Sequence, residues 1–181
     1  MANILVTGAN GQLGSELRKI GFSALDEVFF TDVAELDITD YTAVEQFVRK
    51  NEIDTIINCA AYTAVDRAEE EPEIAAKINT EAVANLAKAA VKEDCLLIHI
   101  STDYVFDGEG TRPWEPEDER HPLNVYGQTK YEGELAVQNT LEKYFIVRIS
   151  WVFGVNGKNF IKTMLNLGKT HDHLTVVNDQ F

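Results

Sequence analysis

The chain has 181 residues, 45% hydrophobic and 25% charged, with a formal net charge of −14. That length suits one domain with a substantial core. The acidic balance excludes a sequence-independent nucleic-acid binder, which needs the opposite sign. No apolar run approaches the length of a bilayer span, and no basic segment followed by a long apolar run opens the chain. The cytoplasm is therefore the expected compartment.

The acidic runs Glu69-Glu70-Glu71 and Glu115-Pro116-Glu117-Asp118-Glu119 read as solvated surface. An anionic ligand then has to be held by helix N-termini and a few local cations. Cys59 and Cys95 border strand-like runs, at a spacing suited neither to zinc nor to a redox Cys-x-x-Cys. They read as buried thiols in a reduced compartment.

Strand-like and helix-like stretches alternate. Ile4–Thr7 is the first expected strand, followed by Thr7-Gly8-Ala9-Asn10-Gly11-Gln12-Leu13-Gly14 and a helix over Gln12–Ile20. Val28–Thr31 is the second strand. A helix over Tyr41–Lys50 follows, with Thr39 or Asp40 as its N-cap. Thr55–Asn58 is the third strand. Ile74–Val91 reads as one long alanine-rich helix, and Leu96–Ile100 as the fourth strand. A loop rich in Gly, Pro and acid spans Asp107–Pro122. Gly127–Thr140 is helical, Phe145–Ile149 is the fifth strand, Phe160–Leu167 is a final helix, and Leu174–Val177 begins another extended segment. Continuous apolar strands alternating with helices predict an α/β fold: a doubly wound, mostly parallel Rossmann-type sheet with helices on both faces. In such sheets the ligand lies outside the carboxyl ends of the strands.

The residues after each strand fit that rule. The Gly-x-x-Gly-x-x-Gly turn aims helix N–H groups at a phosphate, although alone it is a weak signal. Asp32 lies 18 residues past Gly14 and is placed to accept from the adenosine ribose hydroxyls. The plainer alternative is an Asp in a surface turn. No Lys or Arg occurs from Gly21 to Val48, which tilts the cofactor from NADPH toward NADH. Asp37-Ile38 reads either as an adenine contact or as part of a helix start. Ala60-Ala61-Tyr62 follows the third strand, where small residues let a cofactor lie against the backbone or simply pack well.

Ser101-Thr102-Asp103-Tyr104 follows the fourth strand. Tyr126 and Lys130, at i and i+4, lie on one helix face. An ammonium there favours ionisation of the phenol, and the Tyr then gives a proton to a substrate oxygen that the Thr102 hydroxyl fixes. A lone Tyr-x-x-x-Lys is usually structural. Here the glycine turn and the post-strand Ser-Thr precede it in the expected order.

Six segments carry a resemblance: Thr7–Gly14, Asn58–Asp66, Ser101–Phe106, Pro122–Gly127, Arg148–Phe153 and Val177–Phe181. With them the chain resembles the extended short-chain dehydrogenase/reductases, and within these the dTDP-4-dehydrorhamnose reductases. The resemblance implies a catalytic trio of Thr102, Tyr126 and Lys130, with Tyr126 the proton donor to a C4 ketone. It implies that Gly8, Gly11, Gln12, Leu13, Asp32, Asp37, Ile38, Ala60, Ala61 and Tyr62 line the cofactor together with Tyr126 and Lys130. Val65, Thr102, Asp103, Tyr104 and Trp151 would face a dTDP-sugar. Either NADH or NADPH is used in the family. Some relatives hold Mg²⁺ at a homodimer contact through an acid matching Glu16. The resemblance also implies that residues 1–181 form the NAD(P)-binding domain, and that the smaller substrate domain of the family is largely absent. Related nucleotide-sugar epimerases or dehydratases are an alternative. So is a regulatory subunit resembling the methionine adenosyltransferase beta subunit. No partner beyond a small molecule and a second copy is implied, and no nucleic acid or membrane.

Other features carry less. His171 and His173 read as polar surface rather than metal ligands. His99 reads as a satisfied core histidine. Trp114 either covers the site or anchors the acidic loop.

Overall fold

A computed structural model describes residues 1–176. Residues 177–181 lie outside it, and with them the Val177–Phe181 segment. The elements run β1 (Asn3–Thr7), α1 (Gln12–Ile20), β2 (Glu27–Phe30), α2 (Tyr41–Lys50), β3 (Thr55–Asn58), α3 (Val65–Glu70), α4 (Pro72–Ala76), a π-helical segment (Lys77–Glu81), α5 (Ala82–Lys92), β4 (Leu96–Thr102), a 3₁₀ turn (Asp103–Val105), α6 (Val125–Gln138), β5 (Tyr144–Ile149) and α7 (Phe160–Leu167). The strands form one parallel sheet in the order β2-β1-β3-β4-β5. This is a doubly wound sheet whose direction of travel reverses between β1 and β3.

Right-handed crossovers put α2, α5 and α6 on one face and α1 on the other. The main core lies on the first face. Leu5, Ile56 and Leu97 of the sheet meet Val44 and Val48 of α2, Val83 and Leu86 of α5 and Val137 of α6. Four of the five alanines of α5 (Ala82, Ala87, Ala89 and Ala90) are fully buried, so the neighbouring helices approach closely. On the other face, the segment before α7 is tied to α1. Asn159 Nδ2 donates to Gln12 Oε1 at 3.1 Å, and Asn156 Nδ2 donates to Glu16 Oε1 at 3.2 Å.

The helices of α1, α2 and α7 start and stop where the sequence predicts. β4 runs two residues further than expected, to Thr102, so Ser101 and Thr102 belong to the strand, and three helical segments differ. α6 begins at Val125, because the Asn124 side chain caps it by accepting from Gly127 N at 2.7 Å. The long alanine-rich helix starts earlier, with Pro72 at its first position, and winds through a π-helical turn before α5. α3 was not anticipated; its polar Val65-Asp66-Arg67-Ala68-Glu69-Glu70 run buries Ala68 alone. Of the extended segment expected at Leu174–Val177, residues 174–176 form no strand and Val177 lies outside the described residues.

Candidate active site

The carboxyl ends of β1, β3, β4 and β5 open onto one cavity of about 510 Å³, at the point where the sheet changes direction. Gly11, Gln12 and Leu13 form one wall. Ala61, Thr63 and Val65 follow from the loop after β3. Thr102, Asp103, Tyr104, Tyr126 and Lys130 form the far wall, and Ser150 and Trp151 close it after β5. Among the lining residues given no site role from the sequence are Cys59, just after β3, and Gly157 and Lys158, before α7. Nothing local marks the last two, because the fold over α1 brings them there.

The glycine turn is shaped for close approach. Gly8 has φ +62°, and a Cβ on it would stand 2.6 Å from the backbone N and Cα of Ala60. Gly11 N–H donates to Gly8 O at 3.0 Å, which closes the turn. α1 then starts at Gly11 with no capping side chain and no acid in its first turn. An uncapped helix N-terminus facing a cavity suits an anion, so this end fits the pyrophosphate of a dinucleotide. Asp32, just after β2, is fastened to the turn: its Oδ2 accepts from Asn10 N at 3.1 Å, and its Oδ1 accepts from Val33 N at 2.9 Å.

Neither Asp32 nor the other residues expected around the cofactor, Asp37, Ile38, Gly8, Ala60 and Tyr62, are in the cavity wall. Asp37 accepts from the Thr39 hydroxyl at 2.8 Å and from Thr39 N at 2.9 Å, and these bonds hold its carboxyl below the usual range. The helix start belongs to Asp40, whose side chain accepts from Ala43 N at 3.1 Å. Ile38 is buried in the core and its carbonyl accepts from Asn85. Gly8 and Ala60 lie beneath the turn, backbone against backbone. The Tyr62 phenol points to the junction of α3 and α4, donating to Glu71 Oε2 at 2.7 Å, and that bond raises its pKa.

At the reacting end, Tyr126 is nearly buried and its ring meets Tyr104 edge-on, with centroids 5.5 Å apart. Burial raises its pKa; a hydrogen bond with the Thr102 hydroxyl works the other way, and Asp103 and Tyr104 raise it further. Thr102 Oγ1 donates to Asp103 Oδ1 at 3.0 Å and accepts from Tyr104 N at 3.3 Å. Lys130 is buried, and its Nζ donates to the carbonyl of Ile100 at 2.6 Å. Desolvation pushes its pKa down to about 8, against the opposing pull of Glu134 and Cys59. This corrects one expectation. The Lys130 ammonium turns to the backbone of β4, and the Tyr126 phenol is shifted upward rather than toward ionisation.

Asn79 is the supporting residue that the sequence concealed. The π-helical turn presents it inward, fully buried. Its Oδ1 accepts from Tyr62 N at 2.9 Å, while its Nδ2 donates to Tyr62 O at 3.1 Å and to Thr129 Oγ1 at 3.2 Å. The loop after β3 and the residue preceding Lys130 are thereby clamped together. A π turn has no sequence signature comparable to a helix cap, which is why this role was not legible. Across the contact, Gly133 of α6 lies so close to the Asn79 carbonyl that a Cβ has no room.

Below the site, Asn58 Oδ1 accepts from Thr7 Oγ1 at 2.7 Å and from Ala60 N at 3.2 Å. Its Nδ2 is therefore the donor to His99 Nδ1 at 3.0 Å, and the proton of the neutral ring sits on Nε2. His99 is a core histidine, held neutral by burial with its pKa well below the usual value. It is only half satisfied, since Nε2 has no partner among the described residues. The Cys59 thiol is pushed up to about 12 by burial, so it stays protonated.

Trp151 lines the cavity with φ +51° and meets Phe160 edge-on at 5.2 Å. Trp114 anchors the acidic loop: it stacks on Phe106 with centroids 4.5 Å apart and is not part of the cavity wall. Glu16 pairs with Lys19 at 2.8 Å. Neither it nor His171 and His173 belongs to any group of three or more metal-ligating side chains among the described residues.

The model of the RmlD substrate binding domain family matches residues 1–181. The chain belongs to that family. Among relatives of this RmlD-type domain, the dTDP-4-dehydrorhamnose reductase of Escherichia coli (strain K12) is 46% identical over 183 residues, 99% of this chain and 61% of the relative. A solved dTDP-4-dehydrorhamnose reductase from Clostridium acetobutylicum superposes with TM-score 0.92 at 51% identity, covering 97% of this chain and 62% of that one. Another from Bacillus anthracis, solved in complex with NADP, gives TM-score 0.90 at 42% identity, covering 94% and 60%. The chain thus spans about three fifths of the length of these relatives.

Proposed function

We propose that the chain is the NAD(P)H-binding domain, residues 1–181, of a reductase that converts the C4 ketone of dTDP-4-dehydro-L-rhamnose to the alcohol of dTDP-L-rhamnose. The observation that carries this reading is the convergence of Thr102, Tyr126 and Lys130 on the same cavity as the uncapped N-terminus of α1. The names of the relatives support the substrate class. The nicotinamide, when bound, supplies the hydride. The chain's own groups do the rest. The first turn of α1 holds the pyrophosphate, and Lys130 holds the nicotinamide ribose through its ammonium. Thr102 fixes the substrate oxygen by a hydrogen bond, its single O–H turning from Asp103 to that oxygen. Tyr126 gives that oxygen its proton, a role suited by a phenol that remains protonated at neutral pH. Val65, Asp103, Tyr104 and Trp151 face the sugar.

Asp32, anchored on the glycine turn, favours NADH over a 2′-phosphorylated cofactor by like-charge repulsion. The Bacillus anthracis relative was solved with NADP, so both cofactors are accepted in this proposal, with Asp32 setting a preference. The test is an assay of the protein against a panel of dTDP-4-keto-6-deoxy sugars, with NADH and NADPH in parallel. Net NAD(P)H oxidation dependent on dTDP-4-dehydrorhamnose is expected. Tightly retained NAD⁺ with no net cofactor consumption would overturn the reductase reading in favour of an epimerase or dehydratase.

A further inference from the structure

Glu134 lies four residues after Lys130 on α6, so the two side chains share a helix face. Both residues are buried, Glu134 fully. The Glu134 carboxylate is forked by Arg148 of β5: Nε donates to Oε1 at 2.9 Å and Nη2 donates to Oε2 at 2.7 Å. Arg148 is held from outside as well. Its Nη1 donates to Pro116 O at 3.1 Å, and its guanidinium lies 5.2 Å from the centre of the Phe106 ring, on which Trp114 stacks. A buried ion pair of this kind is poor evidence of added stability, since well-packed apolar residues serve as well. Its placement beside Lys130 therefore calls for another explanation.

The groups that face Lys130 are few. Tyr126 and Glu134 come from α6, Cys59 from the end of β3, and His99 and the Ile100 carbonyl from β4; Arg148 of β5 stands behind Glu134. The thiol is protonated and the imidazole neutral at ordinary pH. Among the described residues, Glu134 is thus the anion that acts on Lys130.

We propose that Glu134, oriented by its fork with Arg148, is a positioning residue that keeps the buried Lys130 in its charged form at the wall of the cavity. The proposal rests on the reading of Lys130 as the group that holds the cofactor ribose. Arg148 sets the strength of the effect: it aims the carboxylate and partly offsets its charge. The pinned acidic loop, through Pro116, Phe106 and Trp114, is thereby connected to the charge state of the site.

The test is direct titration of Lys130 by NMR of lysine-labelled protein, with its signal assigned from Lys130→Arg. In the unaltered protein it should titrate near 8. Glu134→Gln removes the anion and leaves Arg148 uncompensated, so Lys130 should titrate lower by about one pH unit or more. Arg148→Gln frees the carboxylate, so Lys130 should titrate higher. Shifts of opposite sign are expected; no shift, or shifts in the same direction, would overturn the proposal. Should a single variant fail to fold, E134Q/R148Q decides. It removes both charges together, and a lower Lys130 titration is expected, while an unchanged one overturns the idea. The pH dependence of NADH and NADPH affinity, followed by fluorescence, separates the two readings. If Lys130 shifts as stated and affinity does not follow it, the cofactor-holding role fails and the Glu134 role stands.

Discussion

The Lys130 ammonium donates to the Ile100 carbonyl at 2.6 Å, which ties α6 to the carboxyl end of β4 two residues before Thr102. The bond gives a buried cation one fixed acceptor and leaves its remaining donors for a ligand. The lysine is charged below about 8 and neutral above. Affinity for NADH or NADPH should therefore fall as pH rises through about 8. Lys130→Met should bind more weakly and show no such step. Stability moves the other way. Between about 8 and 10.5 the unfolded lysine keeps a proton that the folded one has lost, so this group adds stability as pH rises across that window. Urea unfolding at the two ends, in the parent and in Lys130→Met, measures the difference.

Tyr126→Phe removes the proton donor and leaves the ring packed against Tyr104. The rate of sugar-dependent NAD(P)H oxidation should drop by about 10²- to 10⁴-fold, with cofactor affinity nearly unchanged. Because the phenol's pKa is raised, Tyr126 should produce no ionisation step in the neutral range of the free protein. A variant with near-parental turnover removes Tyr126 from its role.

Gly8→Ala places a methyl 2.6 Å from the Ala60 backbone on a residue with φ +62°. The strain alone is about 1–3 kcal/mol, and its relief has to move the glycine turn away from β3. Lower stability in urea and loss of dinucleotide binding should appear together. Binding retained at parental strength would show that the turn is not the pyrophosphate cradle.

Asn79→Ala strips both backbone groups of Tyr62 of their partner, and takes from the Thr129 hydroxyl its donor while leaving its bond to Tyr126 O. The expected cost is about 1–3 kcal/mol for buried groups left unpaired. Asn79→Asp should not rescue it, because a carboxylate lacks the donor that Tyr62 O and Thr129 Oγ1 require. Denaturant unfolding of the two variants checks this.

Asp32→Ser removes the acid beside the glycine turn while keeping an acceptor for Asn10 N. The ratio of kcat/KM for NADPH to that for NADH should rise about five- to tenfold, the size of one partly screened charge interaction of ~1 kcal/mol. An unchanged ratio would mean that Asp32 serves only the turn.

Much of this architecture is written in local pattern. The apolar runs from Ile4 to Val6 and from Thr55 to Ile57, the helix boundaries at Gln12–Ile20, Tyr41–Lys50 and Phe160–Leu167, and the shared face of Tyr126 and Lys130 all follow from periodicity between near neighbours. The rule that ligands gather at the carboxyl ends of parallel strands then carries Gly11, Thr102, Tyr126 and Lys130 to one place. Periodicity carries no information on which polar partner a side chain chooses across the fold. The Lys130 bond to Ile100, the turn of the Tyr62 phenol toward Glu71, the inward Asn79, the stacking of Trp114 and the fork between Arg148 and Glu134 were all decided by tertiary structure. Each depends on which side-chain partners remain near one another once water has been excluded, and that is set by how the segments pack rather than by their local pattern.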